Sequence, residues 1–310
     1  MIVAFIDDHK GRWGIEPICT VLTEHGCPIA PSTYYAAKKR QPSLRALRDE
    51  ELKTKILTSH NASKQVYGIR KIHADLRRQG IEVAQCTVER LCRELGIRGV
   101  VRGKYPRTTR PAPETDRPGD RVRRDFTADG PNELWVADLT YVRTSAGWVY
   151  VAFILDVYSR MIVGWQSSTR MFADLAVDAL AMALWQRRRH GQSVIGLVHH
   201  SDRGVQYRAL RYTEELDRAR AVTSVGSKGD SYDNAMAEAL NSLYKHELIY
   251  RHTWTNAVEV EYATAEWVAW YNHQRLHGAL GHIPPADYEA AYWARETSSE
   301  PAPATVLQNN

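Results

Sequence analysis

The strongest constraint in this 310-residue chain is a charge placed where charge is costly. Leu134-Trp-Val-Ala-Asp-Leu-Thr-Tyr-Val reads as an apolar β-strand, yet Asp138 interrupts it. A carboxylate drawn into such a strand is unfavourable unless it is hydrogen-bonded, paired or holding a cation. Two further acidic residues occupy comparable places downstream. Asp202 closes the short apolar run Leu197-Val-His-His-Ser, and Glu238 sits on a helix that begins near Asp233-Asn234, with 35 residues between the two.

Three carboxylates converging from separate elements describe a cage for hard divalent cations. Mg²⁺ prefers oxygen ligands, and a pair of such ions can stabilise both the attacking and the leaving oxygen at phosphorus. On the helix of Glu238, the residues Asn234, Glu238, Asn241 and Lys245 are spaced to share one face. Such a stripe could simply face solvent, but the loop-like Ser-Lys-Gly-Asp-Ser-Tyr-Asp-Asn before it fits a functional edge. Lys245 is placed to touch a phosphate. His199 and His200 are read as hydrogen-bonding neighbours of Asp202 rather than as metal ligands.

The surrounding pattern is α/β. Apolar strands are expected at Glu133–Thr144, Gly147–Asp156 and Arg160–Ser167, then a helix over 173–190. A strand at Gly196–His200, a helix over 207–219 and a strand at Ala221–Val225 follow. Three consecutive strands and then alternating helix and strand predict a mixed sheet covered by helices. A long helix over 257–274 carries Val258, Tyr262, Ala265, Trp267, Trp270 and Tyr271, which we read as core packing.

The front half is helical. Residues 1–60 form an N-terminal helical segment, with two short helices between 14 and 40, the second capped by Ser32 or Thr33, and a charged helix from 44. Within 61–100, one helix carries Ile69, Ile72 and Leu76 with Arg70 and Lys71. A Gly-containing turn leads to a second, with Val88, Leu91 and Cys92 inward and Arg90 and Arg93 outward. That is a helix-turn-helix pattern, and Arg70, Lys71, Arg90 and Arg93 are its candidate DNA contacts. A basic linker with several prolines is expected over 101–130, a catalytic core over 131–293 and a disordered tail over 294–310. Residues 61–128 hold 16 Lys/Arg against 8 Asp/Glu, whereas 129–310 hold 16 against 21. A basic middle beside an acidic half suits a chain that grips a polyanion in one place and cations in another.

Bulk features narrow the class. No apolar run is long enough to span a membrane, and Asp7, Asp8, His9 and Lys10 near the start do not fit a signal peptide. Cys19, Cys27, Cys86 and Cys92 contain no Cys-x-x-Cys pair and suit free thiols in a reducing, cytoplasmic compartment.

The motifs together resemble a known family. Trp-x-Ala-Asp-x-Thr-Tyr around Asp138, His-Ser-Asp-Arg-Gly-x-Gln-Tyr around Asp202 and Asp-Asn-Ala-x-Ala-Glu ending on Glu238 resemble the DDE signature of retroviral-type integrase cores. With Tyr-Gly-Ile-Arg-Lys-Ile-His at 67–73 and Tyr-Asn-His-Gln-Arg-Leu-His at 271–277, the chain is similar to OrfB-type transposases of bacterial insertion sequences, the IS-three family. The resemblance implies an RNase H-like core with a five-stranded mixed sheet flanked by helices, preceded by an all-α helix-turn-helix region. It implies Mg²⁺, with Mn²⁺ as a substitute, held by Asp138, Asp202 and Glu238. It also implies metal-dependent strand cleavage and strand transfer on double-stranded DNA at terminal inverted repeats. Asn234, Asn241 and Lys245 would then meet DNA, the chain would act as a homo-multimer with an upstream OrfA-type partner or fusion, and it would associate with the nucleoid when bound. The alternative is a non-catalytic DNA-binding regulator of transposition. Retroviral integrase proper is disfavoured, because the cysteines lack the spacing and histidine pair of its zinc module.

Overall fold

The computed structural model describes residues 2–101, 127–170, 173–201, 210–225 and 235–299. The chain divides into two compact units, Met1–Lys55 and Ile56–Asn310, so the boundary falls five residues before the end of the segment expected over 1–60.

The first unit is helical. Helices α1 (Ile2–Trp13), α2 (Ile15–Glu24) and α3 (Pro31–Lys39) enclose a small core of Ile6, Ile18, Cys19 and Tyr34. Asp7 accepts hydrogen bonds from the Tyr34 hydroxyl at 2.8 Å, Lys10 at 2.7 Å and Lys38 at 2.9 Å. Helix α3 starts at Pro31, with Ala30 at the cap position and no side-chain cap. Proline's fixed φ suits a first helical position, so the start lies two residues earlier than a Ser32 cap allows. Helix α4 (Leu44–Ala62) runs across the boundary.

In the second unit α5 (Ile69–Arg78) and α6 (Gln85–Glu94) form the expected helical pair. Ile72, Leu76, Val88, Leu91 and Cys92 are buried, and Gly80 makes the turn at a φ of 75°, a left-handed conformation that favours glycine. The strand-like return after α6 crosses the start of α5 so closely that a Cβ on Gly99 would lie 2.4 Å from the Gly68 nitrogen.

The remainder is a mixed sheet with helices on both faces. Its strands are β1 (Leu134–Thr144), β2 (Gly147–Asp156), β3 (Ile162–Ser168), β4 (Val198–Ser201) and β5 (Val222–Val225), hydrogen-bonded in the order β3-β2-β1-β4-β5. β1, β2 and β3 form an antiparallel meander, while β4 runs parallel to β1 and β5 parallel to β4. Alternation along the strands assigns the two faces. Trp135, Ala137, Ala152 and Ile154 join a core with Leu175, Leu180 and Leu184 of α7 (Ala173–Arg189) and Tyr212 and Leu216 of α8 (Leu210–Arg218). Gly164 of β3 permits that layer, since a Cβ there would lie 2.2 Å from the Ala179 carbonyl oxygen.

Phe153 points to the opposite face, where its ring meets Tyr244 at 5.0 Å and Trp267 at 6.2 Å. These come from α9 (Ala235–Glu247) and α10 (Ala257–His273). Trp267, Trp270 and Tyr271 of α10 are buried, in line with core packing, but Val258, Tyr262 and Ala265 are exposed. The sequence pattern therefore overstates the width of the apolar stripe on α10. Asn272, next along, donates to and accepts from the Ile162 backbone, both at 2.9 Å, and so pins α10 to β3.

Helix α11 (Pro285–Ser299) extends past residue 293, where the tail was expected to begin. It is held by a buried network in which Arg187 donates to Glu289 at 3.0 Å and to Asp156 at 3.4 Å. The linker expected over 101–130 lies mostly outside the described residues. None of the described helices is long and apolar enough to cross a membrane.

Candidate active site

β4 pairs with β1 only over Leu134–Ala137, where Ala137 meets Ser201. From the next residue on, that side of β1 has no strand beside it among the described residues. Asp138 is the first residue of the open half, still paired across to Phe153 of β2. Asp138 is half-buried, in the notch between β1 and α9.

Helix α9 lies against this notch. Asn241 Nδ2 donates to Asp138 Oδ2 at 2.9 Å, while the Leu139 backbone N–H donates to Oδ1 at 2.8 Å. Asn241 is buried, with 9% of its surface exposed, so its amide orients the carboxylate; a contact with DNA was the expectation. One turn further, the half-buried Lys245 ammonium lies 4.7 Å from the centre of the Tyr141 ring. Burial pulls Lys245 below its usual pKa, and the negative charge of Asp138 opposes that shift. Glu238 lies in the first turn of the same helix. Partial desolvation pushes its carboxyl above the ordinary carboxylate value. Asp202 and Asn234 lie outside the described residues.

The donor set fits a hard cation. Asp138 and Glu238 offer carboxylate oxygens, and Asn241 Oδ1 is buried without a hydrogen-bond partner. An amide oxygen left in that state asks for a donor, such as water in a hydrated ion's shell. The described residues alone hold no cluster of three His, Cys, Asp or Glu side chains suited to a metal. The histidines are used otherwise. His199 Nε2 meets the Tyr212 hydroxyl at 3.0 Å, and His200 Nδ1 meets Ser224 Oγ at 3.0 Å. Burial lowers His199 to about 4, so the ring is neutral at pH 7.

The helical pair is joined to this half of the unit. The Tyr67 hydroxyl accepts from the Leu276 N–H at 2.7 Å and donates to the Gln274 carbonyl at 3.2 Å. Beside it, Arg275 donates to Glu247 at the end of α9, at 2.8 Å from Nε, with both side chains buried. The motifs at 67–73 and 271–277 thus meet in space. The Glu247–Arg275 pair was not anticipated, since two isolated charged residues give no periodic signal. Among the expected DNA contacts, Arg70 is exposed and Lys71 half-buried. Arg90 pairs with Glu94 at 2.9 Å and Arg93 with Glu89 at 3.2 Å, so α6 balances its own charge.

Comparison with known proteins shows the family to which the chain belongs. Residues 128–231 and 220–285 each match a family model described as an integrase core domain, and residues 47–105 match an HTH-like domain. A Mycobacterium tuberculosis protein, named provisionally as the transposase for insertion sequence element IS986/IS6110, is 51% identical over 86% of this chain and 97% of its own length. The transposase for element IS629 of Shigella sonnei is 48% identical over 94% of this chain and 97% of its own length. Transposase InsF for insertion sequence IS3A of Escherichia coli is 33% identical over 93% and 98%. Among solved structures, the HTLV-2 integrase catalytic core domain in complex with magnesium covers 53% of this chain and 99% of its own, at 12% identity and a TM-score of 0.41.

Proposed function

Since the chain belongs to the OrfB-type transposases of the IS-three family, we propose that Asp138, Asp202 and Glu238 are the carboxylates with which this DDE transposase cuts and rejoins DNA at the terminal inverted repeats of its element. The observation that carries the reading is the seating of α9 on β1, where Asn241 donates to the half-buried Asp138 carboxylate and Lys245 lies within reach of its charge. Mg²⁺, or Mn²⁺ in its place, would be held by Asp138, Asp202 and Glu238 and would supply charge neutralisation at phosphorus and acidification of a bound water.

The chain's own residues have separable tasks. Asn241 holds Asp138 in one orientation, which keeps its oxygens aimed into the notch. Lys245, whose charged form the Asp138 carboxylate favours, can donate to a nonbridging phosphate oxygen where negative charge develops. In the first step a water oxygen forms a bond to phosphorus as the bridging P–O3′ bond breaks. In the second, the freed 3′-OH attacks a phosphodiester of the target strand and displaces its 3′ oxygen. Neither step needs a covalent bond between protein and DNA.

The helical pair at 69–94 is assigned to duplex contacts, with Arg70 and Lys71 foremost because α6 is internally balanced. A homo-multimer and an upstream OrfA-type partner complete the reading, on the DNA of a bacterial cytoplasm. The test is Mg²⁺-dependent nicking and strand joining on a duplex ending in the element's inverted repeat, run with and without the upstream protein. Wild-type chain should cut and join, while Asp138→Asn and Asp202→Asn should bind and do neither. Variants that cut as fast as wild type would remove these carboxylates from catalysis.

A further inference from the structure

Beyond Asp138, the α7 face of the β1–β2 hairpin runs out from under its helices, and what it presents there is aromatic. Tyr141 is 56% exposed and Trp148 45% exposed. Register puts Arg143 opposite Trp148, so Tyr141 and Trp148 are diagonal neighbours on one face. Their ring centroids are 5.3 Å apart, with the planes at 82°. Each ring carries a cation: Lys245 lies 4.7 Å from the Tyr141 centroid and Arg143 5.6 Å from that of Trp148. The hairpin tip is fixed, because the Ser145 and Ala146 N–H groups donate to Trp254 and Thr255 carbonyls at 2.9 and 3.0 Å.

A cross-strand aromatic pair can do no more than stiffen a hairpin. This one has two features that a purely structural pair does not need. It shares Lys245 with the notch, although Tyr141 and Asp138 face opposite sides of β1, and both rings leave about half their surface to water. Exposed π faces interleaved with cations are the chemistry that receives a nucleobase, the ring stacking the base and the cation meeting its phosphate.

We infer that Tyr141 and Trp148 form a stacking ledge for an unpaired base next to the phosphodiester under attack. The inference rests on the transposase reading and adds the state of the substrate: the strand is frayed or splayed at the cut, with at least one base out of the duplex. A paired base keeps both faces stacked on its neighbours and has none to offer the ledge. The ledge therefore discriminates between strand states and is indifferent to base identity, since every base has a π face.

The experiment uses the full-length chain and two duplexes ending in the inverted repeat. One is fully paired. The other carries a three-nucleotide unpaired tail beyond the cut, with 2-aminopurine as the first tail base. Wild-type chain should bind the tailed duplex roughly tenfold more tightly than the paired one, and the 2-aminopurine emission should fall on binding as the base stacks. Trp148→Leu and Tyr141→Leu should lose most of the preference and the quenching, with affinity for the paired duplex kept within twofold. Tyr141→Phe should retain both. Equal tail preference and equal quenching in wild type and both Leu variants would overturn the ledge while leaving the transposase reading intact. Loss of paired-duplex binding in parallel with tailed-duplex binding would overturn it as well, by showing a merely structural pair. A failure of the parent reading shows separately, as metal-dependent cutting that Asp138→Asn does not diminish.

Discussion

Asn241→Ala should slow strand cleavage about tenfold with little loss of stability. The substitution removes the amide that donates to Asp138 Oδ2 at 2.9 Å. A hydrogen bond to a charged group contributes about 1.5–3 kcal/mol. Asp138 is half-buried, so water can take over part of that contact and the lower end applies. At about 1.4 kcal/mol per factor of ten, the rate falls roughly tenfold. Folding should change little, because the truncation also removes the buried, unpartnered Asn241 Oδ1. Asn241→Asp makes a sharper test. It replaces the donor by a second carboxylate at hydrogen-bond distance from Asp138, and like charges there favour protonation of one of them. That variant should lose more than about a hundredfold at neutral pH, given the penalty of a buried unpaired charge, and should need more Mg²⁺ to reach half-maximal rate. The assay is the initial rate of nicking across a Mg²⁺ titration, with thermal unfolding in parallel. A raised KM for DNA with unchanged kcat would show that Asn241 meets only substrate. Wild-type rate and Mg²⁺ dependence in Asn241→Ala would refute the positioning role altogether.

Arg275→Met should cost about 3–5 kcal/mol, read as a lowered urea midpoint, because it leaves Glu247 buried and unpaired; adding Glu247→Gln should recover part of it, and a midpoint shift under 1 kcal/mol would contradict the pairing. Stability should fall on mild acidification. Burial lowers His199 to about 4, and burial with the Arg275 and Lys71 charges lowers His277 to about 2. Unfolded histidines titrate near 6.5, so between about pH 6.5 and 4 the unfolded chain binds the extra protons. Each histidine then removes on the order of 1.4 kcal/mol per pH unit as pH drops, absent above about 6.5 and, for His199, saturating below about 4. Urea midpoints that stay flat from pH 7 to 5 would contradict the neutral, buried state of both rings. Finally, Arg70→Ala with Lys71→Ala should weaken duplex binding and its salt dependence more than Arg90→Ala with Arg93→Ala, and the reverse order measured by anisotropy would return recognition to α6.

Periodic information was legible in the sequence, and pairwise information was not. The long strands β1 and β2 carry enough consecutive apolar residues to be placed within one residue of their ends, and the tension around Asp138 pointed to a site before any fold was known. Helix α9 could be drawn with Glu238, Asn241 and Lys245 on one face, because a single period decides that. What each then touches depends on how α9 and the sheet come together, which no local pattern announces. Asn241 is an example, since its donor reaches a carboxylate 103 positions earlier. The buried Glu247–Arg275 pair gave no signal for the same reason. Arg90 and Arg93 carry visible i, i+4 partners in Glu94 and Glu89, and spacing alone does not say whether those pairs or a duplex take their charge.

The position of α9 is fixed at several points along its length, and that links the two halves of the second unit. In its middle, Asn241 ties the helix to Asp138, and Tyr244 packs into Phe153 and Trp267 while its hydroxyl meets Thr264 at 2.7 Å. At its far end, Glu247 is locked to Arg275, whose neighbours Gln274 and Leu276 hold the Tyr67 hydroxyl at the entry to α5. A buried ion pair contributes little net stability against an apolar replacement, but removing one partner is costly, so such a pair resists any motion that separates its ends. The path from α5 to α9 therefore runs through short, buried contacts made by the connecting segments at Tyr67 and at 274–276. With α5 assigned to the duplex as proposed above, these contacts connect it to the helix that orients Asp138. In a chain that must cut only where its element ends, this is a physical route by which correct seating of the duplex can set the geometry of the notch.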